Sequence, residues 1–359
     1  MKTMFRVDAS IQIGMGHVMR CLSLADRLKR QGHQCIFLCR SHSGHLNNLI
    51  SSKGYRVAFT ELDDVYENSE CPLDWNAHAH WLGVDIQIDA QQTLLAIKHE
   101  HPNWLIIDHY AIDSFWEKIV SPHVGKIMVI DDLVDRKHYC DLLLDQTFDR
   151  KASEYSAMVP KYCKILTGSK YSLLRDEFAE RRAESLLRRD NVQIKNVFVC
   201  MGGTDKDNYT SLILKELKNC HFEEGTIINV VLGANAPWLF DVKNIVMNMP
   251  WETRLEVNTE SVSDLMVQAD LAIGAPGSMT WERCALGLPS ILIVTAENQK
   301  FIAKNLELVG AIKVLDCLEH LPKLIKSAPY WLTQVSKKCK SITDGRGIDN
   351  LLIEMENLL

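Results

Sequence analysis

The stretch Gly14-Met15-Gly16-His17-Val18-Met19-Arg20 stands between a strand-like run, Phe5-Arg6-Val7, and a repeat of apolar residues. The strand-like run ends in Asp8-Ala9-Ser10. The repeat has helical spacing, and Gly32 follows it as a typical residue just past a helix end. Its members are Val18, Cys21, Leu22, Ala25 and Leu28. The pattern predicts a strand, a glycine turn and a helix that begins near His17.

A turn of this kind suits an anionic ligand. Gly14 and Gly16 let the backbone approach a ligand closely, and the free amides of a helix start attract phosphate groups. The partial positive charge of the helix start favours a neutral imidazole at His17, which is a reasonable general base. A structural role for His17 is the alternative, because a single G-x-G-H turn is weak evidence for catalysis.

The length of 359 residues predicts two domains, and 47% hydrophobic with 24% charged residues is typical of a globular protein. The net charge of −6 argues against general nucleic-acid binding. Eleven cysteines without a C-x-x-C pair indicate reduced core residues. With no signal-peptide pattern and no long apolar run, we expect a cytoplasmic protein with no membrane partner, and a monomer needs no special assumption.

Thirteen histidines raise the question of a metal site. The closest pairs are His42 with His45, His78 with His80, and His99 with His101. None of these pairs has the H-E-x-x-H or mixed Cys/His spacing of a known site class. Surface histidines are the better interpretation, and we expect neither a metal nor another cofactor.

Strand-like and helix-like runs alternate along the chain, which predicts an α/β protein with doubly wound parallel sheets. We predict an N-terminal Rossmann-like domain over 1–175, a connecting helix or linker over 176–193 and a C-terminal Rossmann-like domain over 194–359. Residues 63–80 are polar and predict a long loop. In the connecting helix, Glu177 with Arg181 and Glu184 with Arg188 are predicted to form ion pairs. The alternative is an ordinary surface helix.

Ligands of such sheets bind beyond the carboxyl ends of the strands. Asp8, Asp108-His109-Tyr110 and Asp131-Asp132 follow predicted strands, so we expect them at the same sheet edge as His17. A second helix start, Gly277-Ser278, is predicted to offer amides and a hydroxyl to a diphosphate. Glu282 lies one helical turn further and suits the two hydroxyls of a ribose. The alternative is that Glu282 only complements the helix dipole.

The chain resembles the UDP-sugar hydrolases of pseudaminic acid biosynthesis. The motifs that carry the resemblance occur in order along nearly the whole chain. They are Arg6-Val7-Asp8-Ala9-Ser10, Ile13 to Leu22, Asp108-His109-Tyr110, Ile130-Asp131-Asp132, Cys140 to Leu144, Tyr171 to Arg175, Gly277-Ser278 to Glu282, Glu297-Asn298-Gln299 and Asp344 to Gly347. The motif from Gly277 to Glu282 is shared with glycosyltransferases of the GT-B fold.

The resemblance implies a GT-B-like fold, in which two Rossmann-like domains with parallel sheets face each other across a cleft. It implies release of UDP from UDP-2,4-diacetamido-2,4,6-trideoxy-β-L-altropyranose by attack of water at the anomeric carbon, with inversion and without a metal. The implied catalytic residues are His17, as the base, and Tyr110, near the sugar. The implied substrate-binding residues are Asp8, Gly14, Gly16, Arg175, Gly277, Ser278, Glu282, Asn298 and Gln299.

Two other functions fit the sequence. A GT-B glycosyltransferase uses a similar nucleotide site but needs a groove for its acceptor, and a UDP-sugar 2-epimerase is a variant of this alternative. A non-catalytic nucleotide-sugar binding module needs Gly277, Ser278 and Glu282 but neither His17 nor Tyr110. The joint presence of His17 and Tyr110 at predicted strand ends favours an enzyme.

Overall fold

The computed structural model describes residues 1–60, 76–190 and 193–359. The chain forms two compact units, a first unit of residues 1–173 with 348–359 and a second unit of residues 174–347. The strands are β1 (Lys2–Val7), β2 (Gln34–Arg40), β3 (Arg56–Thr60), β4 (Trp104–Asp108), β5 (Lys126–Ile130), β6 (Leu142–Asp145), β7 (Lys164–Thr167), β8 (Asn196–Cys200), β9 (Ile227–Leu232), β10 (Glu252–Val257), β11 (Leu271–Gly274), β12 (Ser290–Leu292) and β13 (Lys313–Val314).

The α-helices connect and cover these strands. They are α1 (Gly16–Arg30), α2 (Asn47–Ser52), α3 (Ile86–Lys98), α4 (Ser114–Val120), α5 (Asp176–Glu180), α6 (Arg182–Leu187), α7 (Tyr209–Leu217), α8 (Leu239–Met247), α9 (Val262–Gln268), α10 (Met279–Ala285), α11 (Gln299–Leu308), α12 (Leu321–Lys326), α13 (Leu332–Cys339) and α14 (Gly347–Glu356). No helix in the described part of the chain combines the length and the apolar character needed to cross a membrane.

The first unit is built on a parallel sheet of seven strands in the order β3-β2-β1-β4-β5-β6-β7. The chain moves from β1 outward to β3 and then returns to place β4 on the other side of β1. The carboxyl ends of β1 and β4 therefore form a topological switch point, which is where such sheets bind ligands. The predicted Rossmann-like sheet of the N-terminal half is confirmed.

Helices cover both faces of this sheet, as a parallel sheet requires. On one face, α1 buries the five apolar residues of its predicted repeat, each at most 1% exposed. Helix α1 ends at Arg30, and Gly32 follows with a φ of +83° that an L side chain rarely adopts. On the other face, α3 and α4 pack Ala90, Ile97 and Trp116 against the strands. The sheet is thus the middle layer of three.

The second unit repeats this design with six parallel strands in the order β10-β9-β8-β11-β12-β13. Its switch point lies between β8 and β11. The turn after β11 leads through Gly277 and Ser278 into α10, so the predicted second glycine turn stands at this switch point. The two parallel sheets with their helices are the Rossmann-like pair expected from the sequence.

The compact units differ from the predicted domains at the C-terminal end of the chain. The sequence predicts residues 348–359 in the C-terminal domain, but α14 packs Ile348, Leu351, Leu352 and Met355 into the core of the first unit. Burial of these apolar side chains against β1 and its neighbours drives the return of the chain. The final helix is therefore part of the N-terminal fold.

The predicted connecting helix also differs from the structure. It is divided into α5 and α6 at Arg181, and both helices belong to the second unit. Arg181 pairs with Glu184 at 3.2 Å, and Glu177 pairs with Arg175 at 3.0 Å, instead of the predicted i,i+4 partners. The break at Arg181 changes which side chains share a face. Most of the loop predicted over 63–80 lies outside the described residues, and its last two residues begin a 3₁₀ helix, Ala79–Leu82.

We predict that Leu351→Ala lowers the free energy of unfolding by about 2–5 kcal/mol, because Leu351 is fully buried in the first unit. Ile353→Ala, in the same helix, is the matched control, because Ile353 is 58% exposed and its loss costs about 0.5 kcal/mol or less. Urea unfolding followed by circular dichroism measures both. Equal stability of the two variants would contradict the placement of α14.

Candidate active site

His17 and Asp108 meet at the switch point of the first sheet. His17 is the second residue of α1, which follows β1, and Asp108 is the last residue of β4. The Nδ1 atom of His17 lies 2.7 Å from Oδ1 of Asp108. A carboxylate only accepts, so Nδ1 carries the proton and donates it. The expectation that Asp108 and His17 share one sheet edge is confirmed.

This hydrogen bond fixes which ring nitrogen of His17 can accept a proton. With Nδ1 protonated, Nε2 of the neutral imidazole carries the lone pair. Asp108 also stabilises the imidazolium that forms when Nε2 takes a proton, as in a Ser-His-Asp triad. The pair therefore has the arrangement of a general base with its orienting carboxylate.

Arg20 balances the buried charge of Asp108. Its Nε and one of its terminal nitrogens each lie 2.6 Å from a carboxylate oxygen of Asp108, which is a bidentate pair. Burial raises the pKa of Asp108, but the charges of Arg20 and His17 and their hydrogen bonds outweigh it and hold the pKa well below its ordinary value. Asp108 is thus a carboxylate at neutral pH.

Asp132 and Tyr110 extend this network. Asp132, two residues past the end of β5, accepts from Arg20 at 3.1 Å and from the hydroxyl of Tyr110. Burial raises the pKa of Tyr110 well above its ordinary value, and the charge of Asp132 raises it further, so the hydroxyl stays protonated. The Tyr110 ring meets the His17 ring edge-on, with 4.7 Å between the centroids. Tyr110 therefore supports His17 through packing and through its hydrogen bond to Asp132.

Asp8, predicted to bind substrate, is fully buried instead. Its Oδ2 atom lies 2.8 Å from an Arg6 nitrogen and 3.3 Å from Nε2 of His109, and its Oδ1 accepts from the backbone amide of Arg40 at 2.6 Å. Strands β1 and β2 supply Arg6 and Arg40, so Asp8 ties the ends of these strands together. Both carboxylate oxygens of Asp8 face partners inside the protein, which gives the side chain a structural role, and its contact with a substrate stays a prediction.

The two predicted glycines shape the turn before α1. Gly14 has a φ of +82° and donates its amide to the carbonyl of Ser10 at 2.8 Å, which closes a short loop. The Ser10 hydroxyl accepts from the amides of Gln12 and Ile13. Gly16 is the first residue of α1 and directly precedes His17. The turn thus brings a helix start with its free amides beside the histidine.

The second unit brings Arg175 and Glu282 together. A terminal nitrogen of Arg175 lies 3.6 Å from a Glu282 oxygen, and the Glu282 side chain is 15% exposed. Burial raises the pKa of the Glu282 carboxyl, while the charge of Arg175 opposes this shift. A Cβ atom placed on Gly277 would have no other atom within 4 Å, so the backbone there is open to a ligand. The turn at Gly277 thus leads into the helix that carries Glu282, and Glu282 in turn contacts Arg175.

Asn298 and Gln299 lie at the start of α11, after β12. The Asn298 side chain is exposed and makes no capping hydrogen bond. The Gln299 side chain accepts from the amide of Thr295 at 2.9 Å and lies 3.1 Å from its hydroxyl, so it holds the preceding loop. Of these two predicted contacts, Asn298 is therefore the one whose side chain is presented to solvent.

Sequence reasoning did not assign the roles of Asp108, Arg20 and Asp132. A signal was present, because Arg20 follows His17 by three positions on the same helix face, and both aspartates follow predicted strands. What the sequence lacked was the order of the strands. Within residues 1–60, 76–190 and 193–359, no three His, Cys, Asp or Glu side chains are grouped to hold a metal ion.

The two Rossmann-like units give the chain a GT-B-like fold, and solved structures agree. MurG of Acinetobacter baumannii superposes with a TM-score of 0.68 at 13% identity, covering 99% of each chain. A UDP-GlcNAc 2-epimerase from Neisseria meningitidis, bound to UDP-GlcNAc, superposes with a TM-score of 0.57 at 12% identity, covering 99% of this chain and all of the other. At these identities the likeness concerns the fold.

In sequence, the chain is similar to UDP-2,4-diacetamido-2,4,6-trideoxy-β-L-altropyranose hydrolase of Campylobacter jejuni. The two are 29% identical over 304 residues, which is 84% of this chain and 95% of that protein. The spore coat polysaccharide biosynthesis protein SpsG of Bacillus subtilis is 24% identical over an alignment of 366 positions, which covers 98% of this chain and 96% of that protein. No protein-family model matches. The resemblance that the motifs predicted is confirmed.

We predict that neutral His17 is protonated at Nδ1 and not at Nε2, because only Nδ1 faces the Asp108 carboxylate. Long-range ¹H–¹⁵N correlation spectra of the imidazole distinguish the two tautomers. Asp108→Asn should remove the preference, because an amide also donates. An Nε2-protonated ring in the unmodified protein would contradict the assignment of the base.

Proposed function

We propose that this protein hydrolyses a UDP-linked 2,4-diacetamido-2,4,6-trideoxy-hexose, releasing UDP and the free sugar. The observation that carries the proposal is the His17–Asp108 pair at the switch point of the first sheet. Similarity to the Campylobacter jejuni hydrolase supports the choice of substrate and a place in pseudaminic acid biosynthesis. That a monomer carries out this reaction in the cytoplasm remains a prediction.

In the proposed reaction, Nε2 of His17 takes a proton from water as the water oxygen bonds to the anomeric carbon. The bond between that carbon and the diphosphate oxygen breaks, and UDP leaves with the electron pair. Attack from the face opposite UDP inverts the configuration, as in inverting glycosidases. Asp108 holds the ring in place and stabilises the imidazolium. Arg20 keeps Asp108 ionised, so the proton stays on His17.

We propose that the second unit binds the nucleotide. The amides after Gly277 and the Ser278 hydroxyl suit the diphosphate, and Glu282 suits the ribose hydroxyls. Arg175 pairs with Glu177 at 3.0 Å and lies 3.6 Å from Glu282, and its side chain is 24% exposed, so the guanidinium can also meet a diphosphate oxygen. Asn298 is exposed at the start of α11 and completes the proposed contacts. UDP is a good leaving group, so the proposal requires neither a strong general acid nor a metal.

A transfer reaction is the alternative, because MurG shares the fold and glycosyltransferases use a similar nucleotide turn. The fold does not separate the two reactions. Hydrolysis gives the free sugar, whereas transfer gives the sugar bonded to an acceptor. Release of free sugar without any added acceptor therefore distinguishes hydrolysis from transfer. Similarity of sequence favours the hydrolase.

We predict that His17→Asn lowers turnover by about 10²–10⁴-fold, the range that general-base assistance contributes. Affinity for UDP should be unchanged, because His17 acts on water. UDP release followed by NMR gives turnover, and calorimetry gives affinity. His123→Asn is the matched control, because His123 is an exposed histidine of the first unit. Near-normal turnover of His17→Asn would refute the role of His17.

We predict that Glu282→Gln weakens UDP binding by about 10-fold to 100-fold, because a hydrogen bond to a carboxylate contributes about 1.5–3 kcal/mol. Glu224→Gln, an exposed change elsewhere in the second unit, should leave the affinity unaltered. Isothermal titration with UDP measures both variants. If Glu282→Gln binds UDP as tightly as the unmodified protein, Glu282 only complements the helix dipole.

A further inference from the structure

The short segment from Asn76 to Leu82 brings two aromatic side chains to His17. Ala79 and Leu82, which bound its 3₁₀ helix, are at most 3% exposed and anchor it in the first unit. The Asn76 side chain holds the segment in place: it donates to the carbonyl of Tyr110 at 3.3 Å and accepts from the amide of His78 at 2.8 Å. These contacts therefore hold the segment in a defined position beside Tyr110 and His17.

Trp81 and His78 lie over Tyr110. The Trp81 ring stacks on the Tyr110 ring, with 5.5 Å between centroids and 25° between planes. The His78 ring is 4.6 Å from that of Trp81 and 5.3 Å from that of Tyr110. The Trp81 ring also meets the edge of the His17 ring at 6.3 Å. We call Trp81 and His78 the aromatic wall.

Because Tyr110 lies beneath this wall, little of the Tyr110 surface is accessible to a substrate. Tyr110 is 4% exposed, and its hydroxyl is engaged by Asp132. The Arg136 guanidinium lies 5.7 Å from its ring centroid. Trp81 and His78 are each half-buried and keep part of their surface in solvent. The aromatic surface available beside His17 is therefore the wall.

We propose that Trp81 and His78 pack against the sugar and favour a sugar rich in methyl groups. This inference rests on the proposed function, whose sugar carries two acetamido methyls and a methyl at C6. An aromatic face gains from contact with a methyl group, and it offers no partner to a hydroxyl that must leave water. Burial lowers the pKa of His78, so this ring is neutral and suits an apolar contact.

The wall is a specificity surface, and its substitution should act on substrate binding more than on the chemical step. Trp81→Ala should raise KM by about 10-fold to 100-fold, within the range that a lost apolar contact produces. Turnover at saturation should change much less, and Trp81→Phe should restore most of the affinity. Phe115→Ala is the control, because Phe115 is 45% exposed on α4 in the same unit.

The test compares these variants on two substrates, the trideoxy nucleotide sugar and its analogue with a hydroxyl at C6. The unmodified protein should prefer the trideoxy sugar, and Trp81→Ala should reduce that preference about 10-fold. A folded Trp81→Ala variant with an unchanged KM would overturn the proposal. A fall in turnover alone, with KM and preference unchanged, would also overturn it, because Trp81 would then only position Tyr110 and His17.

Binding without turnover separates this inference from the proposed function. If the unmodified protein binds the nucleotide sugar but releases no UDP, the hydrolase proposal fails, but the proposed contact between the aromatic wall and the sugar can still be tested. The sugar should then add affinity over UDP in calorimetry, and Trp81→Ala should remove that gain. Equal affinity for UDP and the nucleotide sugar in the unmodified protein would overturn the proposal that the aromatic wall contacts the sugar.

Discussion

The hydrogen bond between His17 and Asp108 is the interaction on which the proposed chemistry depends. It requires a carboxylate that is buried and yet ionised at the carboxyl end of β4. Burial alone would favour the protonated acid. The bidentate contact from Arg20 prevents this, and Asp132 then shares the charge of Arg20. Removal of one partner from such a buried pair typically costs about 3–5 kcal/mol, so stability and catalysis rest on the same contacts.

Strand order makes this arrangement available. Because β1 and β4 are neighbours in the sheet, the helix after β1 and the end of β4 meet at one point. A second group of charges joins β1 and β2 to α3, where Asp89 accepts from Arg6 at 2.7 Å and from Arg40 at 2.6 Å. Asp8 joins Arg6 to this group. The site end of the sheet is thus held by paired charges, and its middle by apolar packing.

Local pattern in the sequence was enough for the elements nearest the site. The spacing of Val18 to Leu28 and the glycine at 32 predicted α1, and short apolar runs predicted β4, β5 and β11. These signals are local, because a helix face and a buried strand each repeat within a few residues. The same reasoning placed Asp108 at the edge with His17.

Long-range features were beyond that reasoning. The return of α14 to the first unit depends on which core has room for Leu351, and nothing near residue 351 encodes this. The burial of Asp8 depends on Arg6, His109 and the Arg40 amide, which three different segments supply. In the sequence, Trp81 follows a polar stretch, and no local pattern indicates that it belongs to a site. Its place beside Tyr110 follows from the packing of Ala79 and Leu82 and from the hydrogen bond of Asn76 to the Tyr110 carbonyl.

The central claim is that water, activated by His17, attacks the anomeric carbon. The most direct measurement is NMR and mass spectrometry of the products formed from UDP-2,4-diacetamido-2,4,6-trideoxy-β-L-altropyranose in ¹⁸O-water without an acceptor. The account predicts free sugar of inverted configuration as the first product, with the label at its anomeric oxygen and none in UDP. Label in UDP, or no release of sugar until an acceptor is added, would contradict it.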